Sequence, residues 1–119
     1  TEAALREAIE LAELATWELD IQGGVMKYSP RFMNWLSIDD EVVPLNEAMA
    51  LVPADHHQPI AATLEAVWAP GGTGFYDNEH PIINRQTGQV RIVHAQARLV
   101  RDAAGQPAFL RGGIAHQPR

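Results

Sequence analysis

The first thirty residues combine two hydrophobic periodicities. Residues 2–15 place alanine and leucine at helical spacing, which predicts an amphipathic helix. Residues 17–21 alternate apolar and acidic side chains, and this period of two predicts a half-buried strand. Gly23 and Gly24 then provide a turn before a second short strand, Val25–Tyr28, so the two strands form a predicted hairpin.

The middle of the chain shows helical patterns. Ser29 and Pro30 combine a serine N-cap with proline at the first helical position, so a helix is expected to begin there. A short second helix is predicted over residues 45–51. Asp55 is the predicted cap of a longer helix that ends at about residue 68. The inner stripe of that helix consists of Ile60, Leu64, Val67 and Trp68.

The last third of the chain has the pattern of three long strands. They are predicted at residues 75–83, 90–101 and 108–115, and glycine-containing turns separate them. Hairpins joined by tight turns are antiparallel. The sequence therefore predicts an α+β domain in which a five-stranded antiparallel sheet carries helices on one face.

Length and composition indicate a globular segment of about one domain. The chain has 119 residues, of which 46% are hydrophobic and 20% charged. The absence of cysteine excludes disulfides, thiolate metal sites and cysteine nucleophiles. No apolar run approaches 18 residues and no signal peptide is visible, so we expect no membrane contact and a cytoplasmic location. A first residue other than methionine indicates a piece of a longer protein.

Charge is divided unevenly along the chain. Residues 1–79 carry three basic and fourteen acidic side chains, whereas residues 80–119 carry six arginines and one acid. The net charge of −6 disfavours nucleic acid as a partner. The division has two interpretations. Either the two halves neutralise each other within the fold, or the C-terminal strands present a basic docking face.

The candidate metal and haem ligands are histidines. His56 and His57 are adjacent, and on a helix they diverge by about 100°, so they do not readily share a metal. His80 and His94 lie on neighbouring predicted strands and can face each other. The acidic residues 39–41 lack the alternating ligands of a calcium loop. No serine has a visible activating partner, so neither a metal site nor a catalytic site is predicted.

Five motifs, in this order, resemble a PAS domain with its C-terminal PAC segment, in the subgroup that opens with a Trp-Glu-Leu-Asp strand. They lie at residues 15–20, 28–32 and 52–55, at Glu79 with residues 82–91, and at Asp102, Gly105, Pro107 and Gly112. The chain departs from the family at Pro81, where arginine is usual, and at Ile92, where tryptophan is common. Residues 116–118 replace a closing Asp-Ile-Thr. A proline within a strand indicates an edge or a bulge.

The resemblance implies a flanking helix over residues 1–15 and a PAS/PAC sensor domain over residues 16–119, with a small-molecule cavity between sheet and helices. The expected lining residues are Trp35, Leu51, Ile60, Leu64, Tyr76, Asn78 and His80. The alternative is that the strand residues among them face solvent or a dimer partner, because Pro81 can shift the register by one residue.

No cofactor is assigned from the sequence. Flavin adduct chemistry and a thioester-linked chromophore both need a cysteine, so both are excluded. Haem-binding members of the family supply an axial histidine from the long helix. Residues 60–68 contain no histidine, so haem is not expected.

The function that the resemblance implies is signal sensing and protein interaction within a larger bacterial signalling protein, a sensor histidine kinase or a diguanylate cyclase. The domain itself is not expected to be an enzyme. Its expected partners are an effector domain in the same chain, a second copy bound through residues 2–15, and a small-molecule ligand in the core. One alternative is a ligand-free structural dimerisation module. Another is an α+β enzyme of the cone-shaped isomerase type, for which Asp20 and Glu79 are the candidate carboxylates.

Overall fold

The computed structural model describes residues 14–116 of the chain, and the side chains of residues 15–115. The first strand, β1 (Leu14–Asp20), begins where the predicted flanking helix was expected to end, so residues 14 and 15 are extended rather than helical. The remainder of that predicted helix, residues 2–13, lies outside the described residues.

Six strands and three α-helices make up the described part of the chain. After β1 they are β2 (Val25–Tyr28), α1 (Pro30–Leu36), β3 (Val42–Pro44), α2 (Leu45–Met49), α3 (His57–Trp68), β4 (Phe75–Ile83), β5 (Val90–Arg101) and β6 (Pro107–His116). A short 3₁₀ turn, Ala54–His56, precedes α3.

The strands form a single antiparallel sheet in the order β3-β2-β1-β6-β5-β4. The helices pack against one face, so the predicted α+β class is confirmed. The five predicted strands are all present, but the sheet has a sixth. Strand β3 pairs with β2 through three residues, and so short a run carries no periodicity that would reveal it in the sequence.

The predicted start of α1 is confirmed, whereas the predicted cap of α3 is wrong. The Ser29 hydroxyl accepts hydrogen bonds from the Phe32 amide at 3.4 Å and from the Thr16 amide of β1 at 3.0 Å. This second bond ties the helix start to the sheet. The N-cap of α3 is His56, without a side-chain bond, because the 3₁₀ turn carries the chain past Asp55. Helix α2 also ends two residues earlier than predicted.

The inner face of the sheet carries one row of residues across five neighbouring strands. In register, the row reads Tyr28, Trp17, Gly112, Ala97 and Tyr76, from β2 to β4. Trp17 and Tyr76 lie three strands apart, about 14 Å at the usual strand spacing. Their ring centroids are nevertheless only 5.9 Å apart, with an interplanar angle of 83°. The two rings reach toward each other because the residues between them are glycine and alanine.

Asn84 is a buried polar residue in the turn between β4 and β5, and it is 6% exposed. Its Nδ2 donates to the Trp35 carbonyl at 3.1 Å and to the Ser37 hydroxyl at 2.8 Å. Its Oδ1 accepts from the amides of Gln86 at 2.9 Å and Thr87 at 3.1 Å. The amide therefore shapes the turn and holds it against the end of α1.

The row predicts that Gly112 tolerates no side chain. A Cβ on Gly112 would lie 2.8 Å from the Cβ of Ala97 and closer still to the Gln96 carbonyl oxygen. We expect Gly112→Ala to lower the free energy of unfolding by about 1–3 kcal/mol, measured from the urea midpoint, because the strand backbone must shift. Gln96→Ala, at an exposed position nearby, is the control and should change it by less than about 0.5 kcal/mol. A wild-type midpoint for Gly112→Ala would contradict this packing.

Candidate functional site

A cavity of about 90 Å³ lies between the inner face of the sheet and the three helices. The strands contribute Trp17, Leu19, Met26, Tyr28, Tyr76, His80, Ile82, Ala95 and Ile114. The helices and the segments after them contribute Phe32, Leu36, Leu45, Ala48, Met49, Leu51, Val52, Ile60 and Leu64. The surface of the cavity is almost wholly apolar, as is usual for a small-molecule site.

Strand β4 turns alternate residues toward the cavity. Tyr76 is 3% exposed and His80 is half-buried, whereas Asp77 and Glu79 between them are exposed. Pro81 lies on this strand, which is at the edge of the sheet, as the proline indicated. The pairing of β4 with β5 continues across it without a register shift. Pro81 therefore does not turn Tyr76 and His80 away from the core.

The structure brings five of the seven predicted site residues to the cavity and leaves two outside its wall. The five are Leu51, Ile60, Leu64, Tyr76 and His80. Trp35 packs beside the core, where the guanidinium carbon of Arg91 lies 5.3 Å from its ring centroid. Asn78 is half-buried behind Tyr76, and its Nδ2 donates to the Tyr76 hydroxyl at 3.3 Å. Asn78 therefore acts on the cavity only through that tyrosine.

Sequence reasoning missed the contribution of the first hairpin to the cavity. Met26 and Tyr28 face inward because they pair with Leu19 and Trp17. The signal was available, since the period of two that predicted burial of Trp17 and Leu19 extends to their partners across a tight turn.

Comparison with known proteins identifies this arrangement. No family model matches the chain, and no curated protein matches it. Among solved structures, a sensory box histidine kinase/response regulator from Burkholderia thailandensis E264 matches with a TM-score of 0.76 and 20% identity. That match covers 94% of this chain and 82% of that chain.

Two further structures have the same architecture. The N-terminal domain of a diguanylate cyclase with PAS/PAC sensor from Marinobacter aquaeolei has a TM-score of 0.73 at 12% identity, over 87% of this chain and 94% of that chain. A PAS domain from Colwellia psychrerythraea has a TM-score of 0.71 at 13% identity, over 98% and 96%. The chain adopts the PAS fold. The resemblance seen in the sequence motifs is confirmed at the level of the fold.

Three polar side chains interrupt the apolar wall of this cavity. The Tyr28 hydroxyl forms no hydrogen bond with any residue between 14 and 116, although the residue is only 3% exposed. Burial raises the pKa of Tyr28 far above its ordinary range, and it raises the pKa of Tyr76 as well. Burial lowers the pKa of His80, and His56 nearby lowers it further. All three groups are therefore neutral at pH 7.

The tautomer of His80 follows from its backbone contact. Its Nδ1 lies 3.1 Å from the Pro81 carbonyl oxygen, which can only accept, so Nδ1 carries the proton. In the neutral ring Nε2 then holds the lone pair. Together with the two phenols, His80 gives the PAS cavity two hydroxyl donors and a ring acceptor.

His57 and His94 do not line the cavity. The Nε2 of His57 lies 2.7 Å from the Val52 carbonyl oxygen. His94 lies on the outer face of the sheet, with its Nε2 2.5 Å from Asp77. The expectation that His80 and His94 face each other is wrong, because His80 pairs with Val93 and points to the opposite face. Between residues 14 and 116, no three acidic or histidine side chains form a candidate metal site.

The carboxylates considered for an isomerase do not reach the cavity. Asp20 accepts a hydrogen bond from the Gly23 amide at 2.8 Å, in the turn after β1. Glu79 is exposed on the outer face of the sheet. None of the described residues that line the cavity is an aspartate or a glutamate. The described wall therefore lacks the acid–base pair that such an enzyme requires.

The arginines of the basic half make mostly local contacts. Arg111 lies 3.5 Å from Glu18 across the contact between β6 and β1. Arg85 and Arg101 donate to carbonyl oxygens of neighbouring segments. Arg98 is exposed and forms no ion pair within residues 14–116. Among these four arginines, Arg111 alone pairs with an acid of the other half, so direct ion pairing accounts for a small part of the opposite charges. Within the same residues, no helix is long and apolar enough to cross a membrane.

His80 predicts a specific pH dependence of stability. The pKa of His80 is lowered from 6.5 in the folded domain, so at a pH just below 6.5 the unfolded chain binds more protons at this residue than the folded domain does. The contribution of neutral His80 to the free energy of unfolding is therefore complete above pH 6.5. It is lost as the pH falls through the folded-state pKa. We expect the free energy of unfolding to fall less steeply between pH 7 and pH 5 in His80→Asn than in wild type.

The control for this measurement is Met26→Leu, which changes the cavity wall without removing a titratable group and should keep the wild-type slope. Asp77 and Asp102 have lowered pKa values, so their contributions to the free energy of unfolding are lost only as the pH falls below about 4. This is outside the range between pH 7 and pH 5. Parallel curves for wild type and His80→Asn would show that His80 is not desolvated.

Proposed function

We propose that this PAS domain is a sensing and interaction module that binds a small molecule in its core and transmits the occupancy of the cavity to the rest of its parent protein. The observation that supports this most directly is the cavity itself. It lies at the centre of the fold, its wall is apolar, and three neutral polar groups interrupt that wall. Such a combination provides both affinity and orientation for a ligand.

The structural neighbours support a parent of the signalling class. One is named as a histidine kinase/response regulator and another as a diguanylate cyclase with a PAS/PAC sensor. We propose that the parent of this chain is a protein of the same kind, located in the cytoplasm, with an effector domain in the same polypeptide. The PAS domain then has a regulatory role and catalyses no reaction of its own.

The sheet offers a route for the signal. Trp17 of β1 and Ile114 of β6 both line the cavity. The same two strands are paired, and Leu14 lies opposite Ala115 at their ends. Both ends of the described chain therefore leave the domain side by side. A ligand that displaces Trp17 or Ile114 would bias the segments that continue from these ends.

A ligand-free structural module is the second candidate. The cavity volume of about 90 Å³ is below the roughly 300–1,000 Å³ of typical ligand pockets. A core of this kind could serve only to stabilise a domain whose work is dimerisation. Ligand binding separates the two candidates.

The ligand test uses thermal unfolding in the presence of metabolite fractions. A cavity ligand at a hundredfold excess over its dissociation constant should stabilise the domain by about 2.7 kcal/mol. Ala95→Leu fills the cavity wall and should abolish the gain, whereas Ala61→Leu, on the exposed side of α3, should retain it. Wild-type protein that gains nothing from any fraction would favour the structural module. We expect neither haem nor flavin absorbance.

The proposed dimer uses the part of the predicted flanking helix, residues 2–15, that precedes β1. Its alanine-rich stripe must be covered, because so short a helix is marginal in isolation. Because β1 begins at Leu14, removal of residues 1–13 spares the sheet. We expect the full chain to sediment as a homodimer and the shortened chain as a monomer with the same circular dichroism in the sheet region. Equal association states for the two chains would show that these residues make no dimer contact.

A further inference from the structure

The described part of the cavity wall carries no permanent charge. Among residues 15–115, no aspartate, glutamate, lysine or arginine lines the cavity. The groups in it that can ionise at all are Tyr28, Tyr76 and His80. Burial holds all three in their neutral forms at pH 7. A charged guest would therefore lose its hydration without gaining a counter-ion, and this loss is severe in an apolar environment.

One hydroxyl in the wall has no hydrogen-bond partner among the described residues. Tyr28 is only 3% exposed as a residue, and its hydroxyl is not hydrogen-bonded to any residue in the range 14–116. The hydroxyl oxygen keeps some accessible surface, so a guest can reach it, and a hydrogen bond to it is favourable in an apolar surrounding. Tyr76 differs in part, because its oxygen already accepts a hydrogen bond from Asn78 while its own O–H is free to donate. Tyr28 is thus the hydroxyl that would gain its first partner from a guest.

The volume sets an upper limit on the guest. The cavity measures about 90 Å³, and an apolar protein cavity of about 150 Å³ is known to bind benzene. A haem, a flavin or a nucleotide is far larger than either. Two methionines, Met26 and Met49, line the space and can adjust their shape, but they cannot provide the missing volume of a cofactor.

We propose that the cavity selects a neutral, compact, mainly hydrocarbon molecule no larger than benzene, with a single oxygen that accepts a hydrogen bond from Tyr28: a short ketone or alcohol. This inference rests on the proposed sensing function and specifies the chemical class of its ligand. The hydrocarbon part packs against Leu51, Ile60 and Leu64, and the oxygen accepts a hydrogen bond from the Tyr28 hydroxyl.

The experiment uses three probes of nearly equal size and different charge, added to the full chain at pH 7. They are butan-2-one, which is neutral; propanoate, its isosteric anion; and butan-2-ylammonium, the corresponding cation. Binding is followed through the methyl ¹H–¹³C signals of Leu51, Ile60 and Leu64. We expect butan-2-one to shift these signals and to bind at least about tenfold more tightly than either ion.

Xenon provides a separate measure of whether the cavity admits any guest, because it is apolar and forms no hydrogen bond. Tyr28→Phe should lower the affinity for butan-2-one by about threefold to tenfold and leave the affinity for xenon unchanged. Tyr76→Phe removes the other phenol of the wall, whose O–H is also free to donate, and it should weaken binding of the ketone less than Tyr28→Phe does. An equal loss in the two variants would contradict the assignment to Tyr28.

The outcomes separate the two proposals. If xenon and all three probes leave the methyl signals unchanged, the cavity is closed and the sensing function itself fails. If propanoate or the ammonium ion binds as tightly as butan-2-one, the cavity does bind ligands but the neutral class is wrong. If Tyr28→Phe affects xenon and butan-2-one equally, the variant has changed the cavity shape and the assigned hydrogen bond is wrong.

Discussion

The fold depends on a steric constraint at the centre of the sheet. Strands β6 and β5 must carry no bulky side chain at the point where the rings of Trp17 and Tyr76 meet. Trp17 and Tyr76 approach to 5.9 Å from strands that are three apart, and only Gly112 and Ala97 lie beneath them. If Gly112 or Ala97 carried a larger side chain, the two rings could not make contact above β5 and β6. The helices would then have no continuous inner surface on which to pack, and the cavity beside these rings would change shape.

This constraint also explains which parts of the structure could be predicted from the sequence. Strands β2, β4 and β5 have the predicted bounds, because each shows the period of two or lies between clear turn signals. The failures lie where the local pattern is short or where distant contacts decide. Strand β3 is too short for periodicity, and the start of α3 is set by a 3₁₀ turn rather than by the residue best suited to cap it.

The candidate site was predictable in its strands and less so in its helices. Tyr76 and His80 follow from the alternation of β4 once the register is known. Trp35 is a helical residue for which the prediction is wrong. A large aromatic side chain next to a buried stripe predicts a place in the cavity wall, but Trp35 does not line the cavity. The structure instead places its ring by the Arg91 guanidinium, and its carbonyl accepts from Asn84. Whether a helical residue at the border of a stripe faces a cavity depends on helix orientation, which a single sequence does not encode locally.

The two sides of the sheet divide the chemistry of the domain. The inner face is neutral around the cavity, while the outer face and the strand ends hold the charges, including the contact of Arg111 with Glu18 between β6 and β1. One ion pair between the first strand and the last thus joins the acidic and basic halves of the chain. The pairing of these two strands sets Leu14 opposite Ala115, so Trp17 and Ile114 of the cavity wall lie in the two strands at the ends of the described chain. Under the proposed sensing function, the contact between β1 and β6 is therefore the path by which a change at the cavity wall would reach the segments beyond these ends.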